Sequence, residues 1–218
     1  EIGSISKVFT SVLLADMVLD GTVELKSDIN SYYDFKFNHN SRISFESLAN
    51  HTSGLPRMPS NFNLDIHNPD PFGSYTEKDL MFYLENDLEL EPQQFPSYNY
   101  SNLGAGLLGF TLSKIEQESL NDLYKDRIFH KYNMANSTIG SENLKTRLVS
   151  GLDRNGTPIP NWSFGPLGGA GAIISTTEDL SKFAIAQFSE DKVLNLTRTK
   201  THSISGNNDF QFIFVCNR

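Results

Sequence analysis

A chain of 218 residues, 38% of them hydrophobic, is long enough to bury a core and is expected to fold as one large domain or two small ones. Its net charge of -8 and isoelectric point near 5.1 exclude a nucleic-acid binder, which needs clustered Lys and Arg, and weigh against an anionic membrane surface. No run of 18 apolar residues exists to cross a bilayer, and the single cysteine, Cys216, excludes an internal disulfide framework.

In chain order, apolar periodicity predicts a first helix over 4–19, with Ile5, Val8, Phe9, Val12, Leu13 and Met17 on its buried face and Gly21 as its stop. Ser44 can cap a short helix over 45–50, which leads into the rigid loop His51-Thr52-Ser53-Gly54-Leu55-Pro56. Residues 58–75, rich in Pro, Asn, Asp and Gly, read as a long surface excursion of the kind that often forms a functional edge. Thr76 caps a helix through Leu88. A strongly apolar helix follows over 102–116, in which Gly104, Gly106 and Gly109 permit close packing at some cost in helix propensity. Ser119 caps another, to His130. The glycine cluster of Gly165, Gly168, Gly169 and Gly171 forms a loop whose backbone can approach a neighbour closely. Ser175-Thr176-Thr177-Glu178 reads as a capping box opening a helix over 179–188. After Val193 one strand is expected, over 210–216, with no partner strand long enough to pair with it.

The most informative pattern is Ser4 and Lys7, an S-x-x-K pair at the start of the first helix. Residues three apart share a helix face, so the Lys7 amine can reach the Ser4 hydroxyl. A serine needs an adjacent base to become a nucleophile, and a lysine desolvated against apolar neighbours can serve as one. The pair stands where chains fray, whereas a reacting serine must be held by a packed scaffold. A second polar group, Tyr98-Asn99-Tyr100-Ser101-Asn102, sits at the mouth of the apolar helix over 102–116. There Tyr100 offers a phenol able to relay a proton, and Asn102 a carboxamide able to orient both a lysine and a substrate amide. The histidines His39, His51, His67, His130 and His202 show no metal-ligand spacing, so no metal and no cofactor is expected. His51 reads as a side chain that ties its own turn together.

Gly3-Ser4-Ile5-Ser6-Lys7-Val8-Phe9-Thr10, His51-Thr52-Ser53-Gly54-Leu55-Pro56, Tyr98-Asn99-Tyr100-Ser101-Asn102-Leu103-Gly104 and the segment from Gly171 to Leu180 occur in one order. That order resembles the penicillin-recognising serine hydrolases, in the branch of class C β-lactamases, D-alanyl-D-alanine carboxypeptidases and β-lactamase-like esterases. The resemblance implies an α+β, β-lactamase/transpeptidase-like fold. It implies Ser4 as acylated nucleophile, Lys7 as base or proton relay, Tyr100 as the group that handles the leaving group and the deacylating water, and Asn102 as holder of the acyl side. Lys7 and Tyr100 would titrate as a coupled pair, so the base is not divided between them. The family's third triplet, on an edge strand, has one candidate here, Lys200-Thr201-His202, which lacks the glycine and competes with the reading of a polar linker loop. By the same resemblance the chain is expected to be truncated at both ends. It would hold mostly the helical domain, 1–192, with the antiparallel sheet largely missing and 193–218 as an atypical tail. A small-molecule or peptide substrate and a periplasmic or extracytoplasmic location are implied, and a second copy of the chain or a swapped segment could cover the apolar face that the missing sheet would expose. The competing reading is a non-catalytic relative acting as a binding module.

Overall fold

The computed structural model describes residues 1–63, 68–91, 97–141, 144, 147–203 and 209–211. A tight 3-10 turn, Gly3–Ile5, runs directly into helix α1, Ser6–Leu19, so the helix expected from residue 4 begins two residues later. Phe9, Leu13, Leu14 and Met17 of α1 are fully buried, and Gly21, at φ +84, carries the left-handed residue after its end. Helix α2, Phe45–Ala49, is capped by Ser44 as the sequence indicates, with Ser47 returning the bond to complete a capping box. Helix α3, Glu77–Phe82, is capped by Thr76 and then widens into a π-helical turn, Tyr83–Asp87.

Helix α4, Asn102–Glu116, has the boundaries its sequence predicts. Ser101 accepts the Gly104 N–H at one end, and Gln117, at φ +58, takes the left-handed position at the other. Helix α5, Leu120–Tyr124, follows its Ser119 cap and again passes into a π-helical turn, Lys125–Phe129. Arg127 in that turn reaches Asp16 (3.0 Å) and Asp20 (2.6 Å), one in and one just past α1, and Glu116 of α4 (3.1 Å).

Three two-stranded antiparallel pairs make up the described β structure, consistent with a mostly helical unit. Strand β1, Thr138–Ile139, pairs with β4, Ile173–Ile174, and β2, Gly151–Leu152, with β3, Pro158–Ile159. Helix α6 spans Thr177–Ala186 with Thr176 as its cap, two residues earlier than the expected 179–188. The shift has a clear cause. Asp179 lies at the third helical position, where its N–H binds Thr176, while its buried carboxylate accepts from the Asn136 N–H and the Ser137 hydroxyl and so anchors α6 beside β1. Ile185 and Phe188, at the far end of α6, are exposed. Helix α7, Lys192–Thr197, buries Val193 and Leu194 and packs on α1.

Residues 200–203, expected as a polar linker loop, form strand β5, Lys200–Ser203. It pairs with β6, Asp209–Gln211, so the strand expected to stand alone has a partner as far as it is described; 212–216 lie outside the described residues. The pairing satisfies backbone groups that a single strand would leave to water.

The packing that positions the rest is the contact of α4 with the 3-10 turn Gly165–Ala170. The two glycine-rich segments singled out in the sequence meet each other. A Cβ on Gly169 would lie 2.5 Å from the Ala105 carbonyl oxygen, and one on Gly106 would lie 2.8 Å from the Leu167 Cα. Backbone therefore lies on backbone, and the turn is pressed toward α1, where the Gly169 carbonyl receives the Thr10 hydroxyl at 2.7 Å. Gly169→Ala is expected to cost about 1–3 kcal/mol through overpacking, read as a lower urea midpoint. Arg127→Ala should also lower stability at neutral pH. Burial alone would raise the Asp20 carboxyl, but hydrogen bonds from Arg127 and Thr22 and the Arg127 charge hold it below its ordinary value. A depressed carboxyl stabilises above its unfolded pKa. The deficit of the variant in urea titrations should therefore shrink as pH falls below about 4.

Candidate active site

Ser4 sits in the 3-10 turn ahead of α1, with Gly3 before it at φ +52, a backbone value that suits glycine. The fraying expected of residue 4 is prevented by long-range bonds. The Ile2 N–H donates to the Ile173 carbonyl (3.0 Å) and the Ile173 N–H to the Ser6 hydroxyl (3.1 Å), which fastens the start of the chain to β4. The Glu1 carboxylate accepts from the Trp162 N–H at 2.5 Å.

Lys7 lies one turn into α1 and is only 1% exposed. Its amine donates to Ser4 Oγ (3.1 Å) and to the Ala170 carbonyl (2.7 Å), and stands 4.9 Å from the centre of the Tyr100 ring. Burial pushes the Lys7 amine below its ordinary pKa; the Tyr100 phenol opposes that shift and the Arg57 charge adds to it. The Tyr100 hydroxyl donates to Ser4 Oγ at 2.8 Å, so the serine oxygen is held by both groups.

Asn102 opens α4, its N–H bound to the Arg57 carbonyl (3.0 Å) and its carboxamide donating to Met58 Sδ at 3.8 Å. It faces the same cleft as Ser4, but the hydrogen bonds of Lys7 among the described residues go to Ser4 and Ala170 instead. Four sequence-predicted residues, Ser4, Lys7, Tyr100 and Asn102, are thus gathered around one cleft edge. Of the third candidate, Lys200 and Thr201 lie on β5, where the Thr201 hydroxyl accepts from Asn50 (3.1 Å), the residue before His51.

The cleft, about 500 Å³, takes one wall from Phe72 of the 58–75 excursion, expected as a functional edge, and from Trp162 and Phe164, which sequence reasoning missed. Phe72 stacks on Phe164 (4.7 Å, 24°) and lies against Trp162 (5.4 Å), and the Asp70 carboxylate receives both the N–H and the hydroxyl of Ser163 between them. Arg57 also lines the cleft and stands 5.2 Å from the Tyr100 ring centre. Only its position, directly after Pro56 of the loop motif, could have drawn attention to it. The essential acceptor of the Lys7 amine is a backbone carbonyl, which no residue type signals.

The β-lactamase family model matches residues 1–210. The chain belongs to the β-lactamase family. It is 26% identical to Beta-lactamase-like protein 2 of Dictyostelium discoideum over 216 residues, covering 94% of this chain and 38% of that protein. Beta-lactamase-like protein 4 of the same organism is 31% identical over 206 residues, covering 85% and 35%. Among solved structures, a β-lactamase/D-alanine carboxypeptidase from Pseudomonas syringae superposes with a TM-score of 0.77 at 21% identity, over 97% of this chain and 59% of that one. The chain thus spans little more than a third of the length of the two curated relatives. Membership agrees with the penicillin-recognising family that the sequence motifs resemble.

If burial and Arg57 set the Lys7 amine as described, the pH titration of its side-chain NMR signal should have a midpoint below the free-lysine value of about 10.4. Arg57→Leu should move that midpoint upward, because it removes a repelling cation. A wild-type midpoint at the free value would contradict this account.

Proposed function

We propose that this β-lactamase-family chain carries a serine hydrolase centre that acylates Ser4 with an ester, peptide or β-lactam carbonyl and releases the acyl group to water. The observation supporting this reading is the double contact of Ser4 Oγ with the Lys7 amine and the Tyr100 hydroxyl, at 3.1 and 2.8 Å. The Lys7–Tyr100 pair takes the serine proton as Oγ bonds to the carbonyl carbon. When the tetrahedral adduct collapses, the bond to the leaving group breaks and the proton passes to it. Water then gives a proton to the same pair and adds to the acyl carbon, and the Ser4 oxygen departs with that proton restored. A lysine kept below its ordinary pKa is suited to this traffic, since it spends more of the neutral range able to accept.

Asn102 is assigned to the acyl side of the substrate because it shares the cleft with Ser4. The apolar wall of Phe72, Trp162 and Phe164 would receive an apolar part of the substrate beside Ser4. Lys200, Thr201 and His202 are given no reacting role, and the proposal rests on Ser4, Lys7, Tyr100 and Asn102.

A fluorophosphonate or a fluorescent penicillin should add one adduct by intact mass, mapped to Ser4, and Ser4→Ala should abolish it. Turnover of 4-nitrophenyl acetate should fall in Ser4→Ala to the buffer rate. Lys7→Met should reduce it by roughly a hundredfold or more, the loss typical of a removed proton-transfer group. A folded chain that takes no label and turns over none of these substrates would instead be a non-catalytic binding module.

A further inference from the structure

We propose that His51 is a positioning residue for Tyr100: it grips the backbone on both sides of the tyrosine and backs its ring, and so fixes the phenol on Ser4. This rests on the serine hydrolase reading for its consequence in rate, though not for its geometry.

The grip uses two different groups of one residue. The His51 carbonyl accepts the Asn99 N–H at 2.8 Å, and its Nδ1 accepts the Ser101 N–H at 3.2 Å. Tyr100 lies between those two amides. Its ring sits 4.8 Å from the imidazole centre, tilted by 36°, while Tyr98 meets the imidazole edge-on at 5.6 Å and 86°. Backbone and ring of Tyr100 are thus both referred to the same side chain.

The histidine is itself held in one state. It is 2% exposed, and its backbone takes a positive φ of 60°, a left-handed value uncommon outside glycine. An Nδ1 that accepts a backbone N–H carries no proton, so the neutral ring bears its hydrogen on Nε2. That Nε2 is buried and has no hydrogen-bond partner among the described residues. A buried polar atom left unsatisfied is costly, and a residue chosen only to fill this space would be apolar. What the imidazole provides, and an apolar ring cannot, is the acceptor for Ser101. Burial and the nearby Lys7 charge push the imidazole down to about 4, so it remains an acceptor throughout the neutral range.

Asparagine tolerates left-handed backbone and keeps a side-chain acceptor, whereas phenylalanine keeps a ring and loses the acceptor. The full chain is therefore compared as wild type, His51→Phe and His51→Asn, with melting temperatures measured for each. With fluorotyrosine incorporated and the Tyr100 signal assigned through Tyr100→Phe, the wild type should give one narrow Tyr100 resonance. His51→Phe should shift or broaden that resonance, and His51→Asn should restore part of it. In turnover of 4-nitrophenyl acetate, His51→Phe should lower kcat by roughly 10- to 100-fold with KM changed much less, the pattern of a misplaced catalytic group. A Tyr100 resonance identical in wild type and His51→Phe overturns the proposal, whether or not the chain hydrolyses anything. So does a kcat within twofold of wild type in a folded His51→Phe of an active chain. Absence of turnover and of Ser4 labelling in the wild type would refute the serine hydrolase reading alone, since the fluorotyrosine signal still decides the role of His51.

Discussion

The removal of one lysine amine from water is the constraint on which the rest of this structure depends. An ammonium group taken into an apolar interior must either be bonded on all sides or give up its proton. Lys7 resolves the conflict by pointing back along α1 to Ser4 and across to the carbonyl of Ala170. That carbonyl is available only because the turn Gly165–Ala170 is pressed onto α4, glycine against glycine, closely enough to bring its last residues over α1. The same compression supplies the Gly169 carbonyl to Thr10, whose hydroxyl also meets Tyr124 at 2.7 Å. A core contact between backbones thereby sets the electrostatics of a side chain at the surface cleft.

Around that point, three separate parts of the chain converge on Ser4. The start of α1 brings the serine and lysine, the loop before α4 brings Tyr100, and β4 fixes the N-terminal residues through Ile173. Each is fastened by hydrogen bonds to a different element, so the site does not depend on any single loop. The aromatic wall of Phe72, Trp162 and Phe164 belongs to two excursions that are joined through Asp70 and Ser163. One of these excursions also reaches the start of the chain, where the Trp162 N–H donates to the Glu1 carboxylate.

The parts of this arrangement that could be read in the sequence are those governed by near neighbours in the chain. Helix α4 was legible to the residue because Ser101 and Gln117 carry its two ends within the element itself. The Ser4–Lys7 contact was legible because helical geometry places residues three apart together. Helix α6 was misplaced by two residues because Asp179 serves a distant partner, Ser137, as well as its own helix. Strand β5 read as loop because its partner β6 contributes pairing that no local pattern reveals. His51 reads in the sequence as a tie within its own turn, whereas its hydrogen bonds to residues 99 and 101 span some fifty positions that no local pattern reveals.

The sequence by itself determined the family, the helical periodicity and the four residue types proposed for the site. Tertiary structure alone decided that a serine four residues into the chain is held firmly, that the lysine beside it is buried with a backbone carbonyl as second partner, and that Lys200 and Thr201 stand on a paired strand. The physical reason is the reach of the forces involved. Propensity, capping and helical spacing act over a few residues, whereas desolvation and backbone-to-backbone packing depend on which distant segments the whole fold brings into contact.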